Sequence, residues 1–297
     1  MTTAVYPHLP PAQLKKEEDD STARELSWLL DSLQETLVSL KSGLEECYAL
    51  LAPIEPGSTL VMSSPRSESV KGHVTRVGTR IVKGTLHLRL KTLPHTHISF
   101  TPHLPALENL RDLLNQALDC VDITRWTGDR HSASYISSQL RLLHSILTSS
   151  LSLLSPPSTS STSQPPWTTT PTPASHSPPP NPPYPPNLSL TLTPSAGALI
   201  LTVRILEPVG VGAEPSLGLV TKFAFAIGAQ RRLEHDEMEG VYVLGGGERV
   251  RVREKVVVES SADPMMLVLG AKLGALERTV EAGRVGLGVV CGEEVDV

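Results

Sequence analysis

The sequence predicts an α+β protein, an elongated two-body molecule made of an antiparallel four-helix bundle and a β-sheet domain. Two patterns and their order carry this prediction. Apolar residues recur at steps of three and four in four segments, which is typical of helices with one buried face. In other segments apolar and polar residues alternate, which is typical of half-buried strands. Because these segments are interleaved along the chain, both bodies are expected to be discontinuous in sequence.

The first helix carries a leucine ladder. Thr22 and Glu25 form a T-x-x-E capping box, which marks a helix start, and Pro53 marks the end. Between them apolar residues follow at alternating steps of four and three, which keeps one stripe of a helix apolar. The ladder residues are Leu26, Leu30, Leu33, Leu37, Leu40, Leu44, Cys47 and Leu51.

The ladder fits either an exposed zipper that pairs with a second chain or a core helix of the protein's own bundle. A zipper favours complementary charges beside the apolar stripe. Here the flanking positions are poor in charge, and Leu29 and Leu50 widen the stripe at its two ends. Because a wide stripe suits a helix that faces two neighbours, the pattern favours the bundle.

The remaining elements follow from the same rules. Strands are predicted at 70–77, 85–90, 98–100, 188–192, 198–206, 222–227 and 249–259, and further helices over 107–121, 136–154 and 266–280. Pro105 lies near the start of the second helix. In the last helix Asp263 is the predicted N-cap, Pro264 the first helical residue and Gly283 the C-terminal cap.

These elements define the expected domains. The helical bundle comprises residues 21–53, 104–154 and 263–283, and the β domain comprises 57–101 and 188–259; residues 1–20 form a disordered tail and 155–187 a disordered linker. The linker is rich in Ser and Pro and holds half of the chain's 26 prolines. Such a segment buries too little apolar surface to offset its ordering entropy. It is interpreted as a spacer, with a ligand for a proline-binding groove as the alternative.

Composition excludes several classes of protein. The 297 residues carry a net charge of −5, which gives no electrostatic case for binding nucleic acid. The three cysteines, Cys47, Cys120 and Cys291, are far apart and show no metal-type or disulfide spacing. The first twenty residues lack the apolar run of a secretory signal, and no apolar segment is long enough to span a bilayer. We therefore expect a cytoplasmic protein without membrane insertion, although peripheral recruitment to membranes and a nuclear location remain alternatives.

No catalytic, cofactor-binding or metal-binding motif is recognisable. His95, His97 and His103 lie close in sequence, but a loop facing solvent explains them better than a metal site. Gly245, Gly246 and Gly247 fit a hairpin turn. The one concentrated basic feature consists of Arg249, Arg251 and Arg253, which alternate with valines on a predicted strand. These arginines are candidate partner-facing residues, although Glu248 and Glu254 interleave with them and weaken the positive field.

Several segments resemble the Rogdi family, whose fungal counterpart is the second subunit of the RAVE complex, the regulator of the vacuolar and endosomal proton-pumping ATPase. The resemblance lies in ELSWLLDSLQETLVSLKSGLEEC at 25–47, VKGHVTRVGTRIVKGTLHLRL at 70–90, YISSQLRLLHSILTSSLSLL at 135–154, PPNLSLTLTPSAGALILTVRIL at 185–206 and AIGAQRRL at 226–233. It implies a helical part and a β part, no catalytic residues, and a role in assembling the proton pump. The implied partners are a large β-propeller-containing RAVE subunit and the cytosolic sector of the V-ATPase.

The resulting hypothesis is a non-catalytic scaffold subunit, monomeric by itself, that promotes assembly or reassembly of the V-ATPase by binding other proteins. Two alternatives stay open from the residues alone. One is a homodimeric coiled-coil structural protein that pairs through the ladder. The other is an α+β domain that binds a small ligand.

Overall fold

The structure is a computed structural model that describes residues 10–65, 68–99, 101–155, 166–168, 185–209 and 235–292. In these ranges the protein is α+β, with four helices and two antiparallel four-stranded sheets. The predicted fold class is therefore confirmed at this level. The strand predicted at 222–227 lies outside the described residues.

The helices are α1 (Pro11–Leu50), α2 (Pro105–Trp126), α3 (Ala133–Leu154) and α4 (Pro264–Cys291). Local sequence explains several of their ends. Proline is the first residue of α2 and of α4, where its missing N–H costs no intrahelical hydrogen bond. The Asp263 carboxylate accepts a 3.0 Å hydrogen bond from the Met265 N–H, so the predicted N-cap is confirmed.

Helix α1 begins earlier than the capping box predicts. It starts at Pro11. Residues 11–20, which were expected in a disordered tail, are therefore helical, and they are exposed. The Thr22 hydroxyl donates to the Glu18 carbonyl one turn back instead of capping an N-terminus. Lys15, Lys16 and Glu17 are good helix formers, so intrinsic propensity continues the helix where tertiary packing has ended.

Helix α4 ends later than predicted. Gly283 lies inside the helix, and a side-chain carbon built on it would be only 3.0 Å from Leu33 Cδ2. Its missing side chain therefore serves close packing between helices, not termination. The residue that follows the helix is Gly292, whose φ of +67° is the left-handed conformation of a C-terminal cap.

The first sheet has the order β1-β2-β3-β4, formed by Ser58–Ser63, Val70–Val77, Arg80–Leu88 and Thr96–Ser99. All neighbours are antiparallel, and the predicted strand at 70–77 is confirmed at both ends. A tight turn at Gly78, with φ of +60°, joins β2 to β3.

The second sheet has the order β5-β6-β8-β7. Its strands are Leu188–Ser195, Ala198–Pro208, Val241–Val243 and Arg249–Glu259, numbered β5 to β8 in chain order. The strand predicted at 249–259 is confirmed. A hairpin containing Gly245, Gly246 and Gly247 joins β7 to β8, which confirms the turn predicted there.

The chain divides into two compact units. The helical unit comprises Met1–Leu50, Asn109–Ser152 and Leu269–Val297, and the β unit comprises Leu51–Glu108 and Leu153–Val268. Within the helical unit, α4 packs against α1 where Gly283 meets Leu33 and where Lys272 pairs with Glu46. Because residue numbers rise along one helix as they fall along the other, α1 and α4 are antiparallel.

Candidate interaction surfaces

The leucine ladder is buried in the folded chain. Leu26 is half-buried, and the other seven ladder residues from Leu30 to Leu51 have 5% or less of their surface exposed. The stripe thus already packs against the protein's own residues. Burial of this kind is typical of a core helix.

A shallow groove runs between α1 and α4 in the helical unit. Its volume is about 480 Å³, and its walls are Leu29, Ser32, Leu33 and Thr36 from α1 and Ala275, Arg278, Thr279, Ala282 and Gly283 from α4. The small side chains of α4 make the groove. The groove is largely open to solvent, and its lining residues include no Asp, Glu, His or Cys.

Polar contacts join the helices around the ladder. Lys41 Nζ donates to the Asp122 carboxylate at 2.7 Å, which links α1 to α2. His144 Nε2 lies 3.0 Å from Glu277 Oε1 and 3.3 Å from Glu281 Oε2, which links α3 to α4. These side chains are partly exposed, so the contacts fix helix orientation more than they stabilise the fold.

The predicted basic face of β8 needs a correction. Val252 pairs with Leu206 and Glu254 with Ile205, so Arg253 is the extra residue of a β-bulge. A bulge reverses the alternation of side chains, which separates Arg253 from the regular face that Arg249 and Arg251 share. Arg249 and Arg253 are exposed and Arg251 is half-buried.

Glu254 lies in the interior of the β unit and not on an exposed face beside the arginines. Its side chain is buried in the β unit, where it accepts hydrogen bonds from the backbone N–H groups of Lys91 and Thr92, both at 3.1 Å. The Thr92 hydroxyl donates a further bond of 2.8 Å. Glu254 therefore fastens the segment after β3 to strand β8.

Sequence reasoning missed a tryptophan slot on the second sheet. Three residues of the predicted linker, Pro166–Thr168, form a 3₁₀ turn. Trp167 in this turn is buried, with only 6% of its surface exposed. It packs on a cluster that also contains half-buried Tyr242. The residues around the indole are Arg204, Leu206, Tyr242, Leu244, Val250 and Val252, which we call the tryptophan slot. A lone tryptophan within a Ser/Pro-rich segment was the available signal.

Two ring interactions hold the indole in this tryptophan slot. The Arg204 guanidinium carbon lies 4.9 Å from the centroid of the indole ring, within cation–π range. The Tyr242 ring meets it edge to face, with centroids 5.0 Å apart. The backbone N–H of Gly245 also donates a 3.2 Å hydrogen bond to the Thr168 carbonyl.

A charged network supports the wall of the slot. Arg204 donates to both oxygens of Glu237, at 2.7 and 3.2 Å, and Lys255 Nζ donates to Glu237 Oε1 at 2.8 Å. Burial by itself would raise the pKa of Glu237. The hydrogen bonds and positive charges of Arg204 and Lys255 outweigh burial, so the pKa lies below its usual value.

The other candidate chemical groups stay apart. His97 packs edge to face on His87, with ring centroids 4.2 Å apart, and His103 Nε2 lies 3.1 Å from Glu108 Oε2. Within the described ranges, no three His, Cys, Asp or Glu side chains converge so as to hold a metal ion. Among the helices described, none is long and apolar enough to cross a membrane.

The described residues define an α+β protein of four helices and two antiparallel sheets, with its leucine ladder in the core. The family model for the Rogdi leucine zipper containing protein matches residues 25–287 of the chain. The chain therefore belongs to the Rogdi family.

A related protein is the Regulator of V-ATPase in vacuolar membrane protein 2 of Schizosaccharomyces pombe. It is 29% identical to this chain over 133 residues. The matched stretch covers 42% of this chain and 45% of the relative, so it spans less than half of either protein.

Proposed function

We propose that this protein is a non-catalytic subunit of a RAVE-type complex that promotes assembly or reassembly of the V-ATPase. It acts as a scaffold through protein–protein binding. Its partners are a large β-propeller-containing subunit and the cytosolic sector of the pump. It works in the cytoplasm and is recruited peripherally to vacuolar or endosomal membranes.

The observation that carries this proposal is the Rogdi family match over residues 25–287, together with the relative whose name is that of a V-ATPase regulator. The features of the surface agree with a binding role. The groove between α1 and α4 is shallow, and its lining offers no nucleophile with an adjacent base, as an enzyme of acyl or phosphoryl transfer would need.

The helical unit supplies the rigid frame in this proposal. Its four helical segments form an antiparallel bundle with the ladder as its spine, and the protein is monomeric by itself. The antiparallel contacts of α1 with α4 support this arrangement, as does the burial of the ladder. Partners then bind to outer surfaces, among which Arg249 and Arg253 are exposed basic candidates.

Affinity purification of the tagged protein from its own cells tests the proposal directly. A β-propeller protein and subunits of the cytosolic V-ATPase sector should co-purify, and deletion of the gene should raise vacuolar pH. Normal acidification in the deletion strain would sink the proposal.

Charge reversal identifies the contact surface in the same assay. The R249E/R253E variant should lose its partners if the basic strand binds them. The matched control is K71E/K83E, which reverses two exposed charges on the first sheet. Equal loss of partners from both variants would contradict a specific contact at β8.

A further inference from the structure

The tryptophan slot has the features of a peptide-binding site whose occupant is a segment of the same chain. Trp167 comes from a 3₁₀ turn of only three residues, Pro166–Thr168, yet its indole is among the buried side chains of the β unit. The slot contacts this short segment through an aromatic ring, a guanidinium and a backbone N–H. Peptide-recognition sites combine the same elements: a deep apolar anchor with main-chain hydrogen bonds beside it.

The side chains of the slot suit an indole. Val250, Val252 and Leu206 form an apolar floor, while Tyr242 and Arg204 contact the ring. The ring quadrupole of tryptophan interacts with a cation more strongly than that of tyrosine or phenylalanine. The slot therefore favours tryptophan over the other aromatic side chains.

The wall that contacts the indole does not depend on the occupant. Arg204 is held by Glu237 and by Thr191, whose hydroxyl accepts a 3.1 Å hydrogen bond from Arg204 Nη1. Lys255 Nζ also donates to Glu237, at Oε1. Val250 and Val252 lie on β8, which is paired on both edges by β6 and β7. An emptied slot is therefore expected to keep its shape.

The occupant, in contrast, belongs to a segment whose composition predicts no packing of its own. Its flanks, residues 155–165 and 169–187, are rich in Ser and Pro and predict no packed structure. A tethered ligand of this kind has an effective concentration on the order of millimolar at its site. A competing segment displaces it when the ratio of the competitor's concentration to its dissociation constant exceeds the same ratio for the tethered occupant.

From these contacts we propose that the tryptophan slot is a binding site for a proline-flanked tryptophan peptide. Pro166–Thr168 is its resident occupant, and a segment of another protein with the same chemistry replaces it. While Pro166–Thr168 occupies the slot, the apolar side chains of Leu206, Val250 and Val252 stay shielded from water, until the partner segment binds. The inference does not depend on a role in V-ATPase assembly.

Direct binding is the first test. The probe is a fluorescein-labelled peptide of residues 162–172, TSQPPWTTTPT, and the readout is fluorescence anisotropy with the full chain. The W167A chain, whose slot has lost its occupant, should bind the peptide saturably and at least tenfold more tightly than the wild-type chain. A peptide with alanine in place of tryptophan should not bind. No saturable binding to a folded W167A chain at millimolar peptide would overturn the proposal.

A second measurement covers the case in which W167A does not fold. The W28F/W126F chain, labelled with 5-fluorotryptophan, reports on Trp167 alone by fluorine NMR. Addition of the unlabelled 162–172 peptide should shift this resonance toward the position of an exposed indole, whereas the alanine peptide should leave it unchanged. A resonance that stays fixed at millimolar peptide would show that Trp167 is a permanent core residue, and the proposal would be wrong.

Discussion

Arg76 Nε donates a 2.6 Å hydrogen bond to Asp263 Oδ2, and both side chains are buried in the β unit. The same carboxylate accepts from the Ser58 hydroxyl and from the Met265 N–H at the start of α4. One ion pair therefore joins strand β2 to the cap of a helix that follows it by almost two hundred residues. Such a pair is costly to break because the remaining charge stays buried.

The first prediction concerns this pair. Arg76→Met should destabilise the protein by about 3–5 kcal/mol, since it leaves the Asp263 carboxylate buried without its cation. Urea unfolding followed by circular dichroism measures the loss. Adding Asp263→Asn should recover part of it, because asparagine still accepts the Met265 N–H and carries no charge.

The matched control is the Lys41–Asp122 pair, whose side chains are 29% and 40% exposed. Lys41→Met should cost no more than about 1 kcal/mol, because water screens the pair and solvates the carboxylate left behind. Equal losses for Arg76→Met and Lys41→Met would show that burial does not govern the Arg76–Asp263 interaction.

The second prediction concerns the leucine ladder. Leu37 is 2% exposed, and Leu37→Ala should lower the free energy of unfolding by about 2–5 kcal/mol through lost burial and the cavity left behind. Val38, its neighbour in the same helix, is 50% exposed, so Val38→Ala should change stability by less than about 0.5 kcal/mol.

Light scattering distinguishes the bundle from a zipper. A bundle predicts that the wild-type chain is monomeric and that Leu37→Asp unfolds it. A wild-type dimer that Leu37→Asp converts into folded monomers would instead require the ladder to pair two chains.

Features fixed by neighbours in the chain were predictable from the sequence. The Asp263–Pro264 cap, the strands at 70–77 and 249–259 and the glycine hairpin after β7 depend on local rules of capping, alternation and turns. The ladder's spacing likewise reveals its apolar stripe, although only the fold shows what covers it.

Features fixed by distant contacts were not predictable. Gly283 looks like a helix end, yet Leu33 of another helix explains its small size. The bulge at Arg253 depends on the pairing of β8 with β6, which no pattern within β8 reveals. Trp167 lies in a segment whose composition predicts no packing, and its burial depends on side chains from three strands.

The third prediction compares two glycines of α4. A side chain at Gly283 would press on Leu33, so Gly283→Val should destabilise the protein by about 1–3 kcal/mol. At Gly286 a new side-chain carbon would meet nothing within 4 Å, and Gly286→Ala should stabilise by about 0.5–1 kcal/mol through helix propensity. Thermal unfolding of the two variants shows whether each substitution raises or lowers the stability. Stabilisation by Gly283→Val would contradict the close packing of α4 on α1.

The fourth prediction concerns thiol reactivity. Burial raises the pKa of Cys47 from 9.0 to about 11, although the positive charge of Lys272 partly opposes the rise. Cys120 is also buried, and burial raises its pKa, while Cys291 is exposed. Because the thiolate is the reactive form, an aromatic disulfide reagent at pH 8 should label one thiol quickly and the other two slowly. Cys291→Ser should remove the fast phase; a fast phase that persists would contradict the burial of Cys47 and Cys120.

The last prediction concerns the pH dependence of the charged network beside the tryptophan slot. The folded-state pKa of Glu237 is lowered, because the hydrogen bonds and charges of Arg204 and Lys255 outweigh the opposing effect of burial. A group whose pKa is lower in the folded state adds stability above its unfolded pKa, and that stability disappears as the pH falls through the folded value. Glu237→Gln should therefore destabilise the protein at pH 7, and the difference from wild type should shrink as the pH falls below the ordinary glutamate range near 4.5.

Urea unfolding of the two proteins between pH 3 and pH 7 measures this dependence. The fluorescence of Trp167 in the W28F/W126F background follows the slot in parallel, because Arg204 contacts both the indole and Glu237. In acid the protonated Glu237 no longer holds the guanidinium by charge, so the indole should become more accessible to acrylamide. A stability difference that stays constant from pH 7 to pH 3 would mean that the pKa of Glu237 is the same in the folded and the unfolded protein, and the charged network would not support the slot.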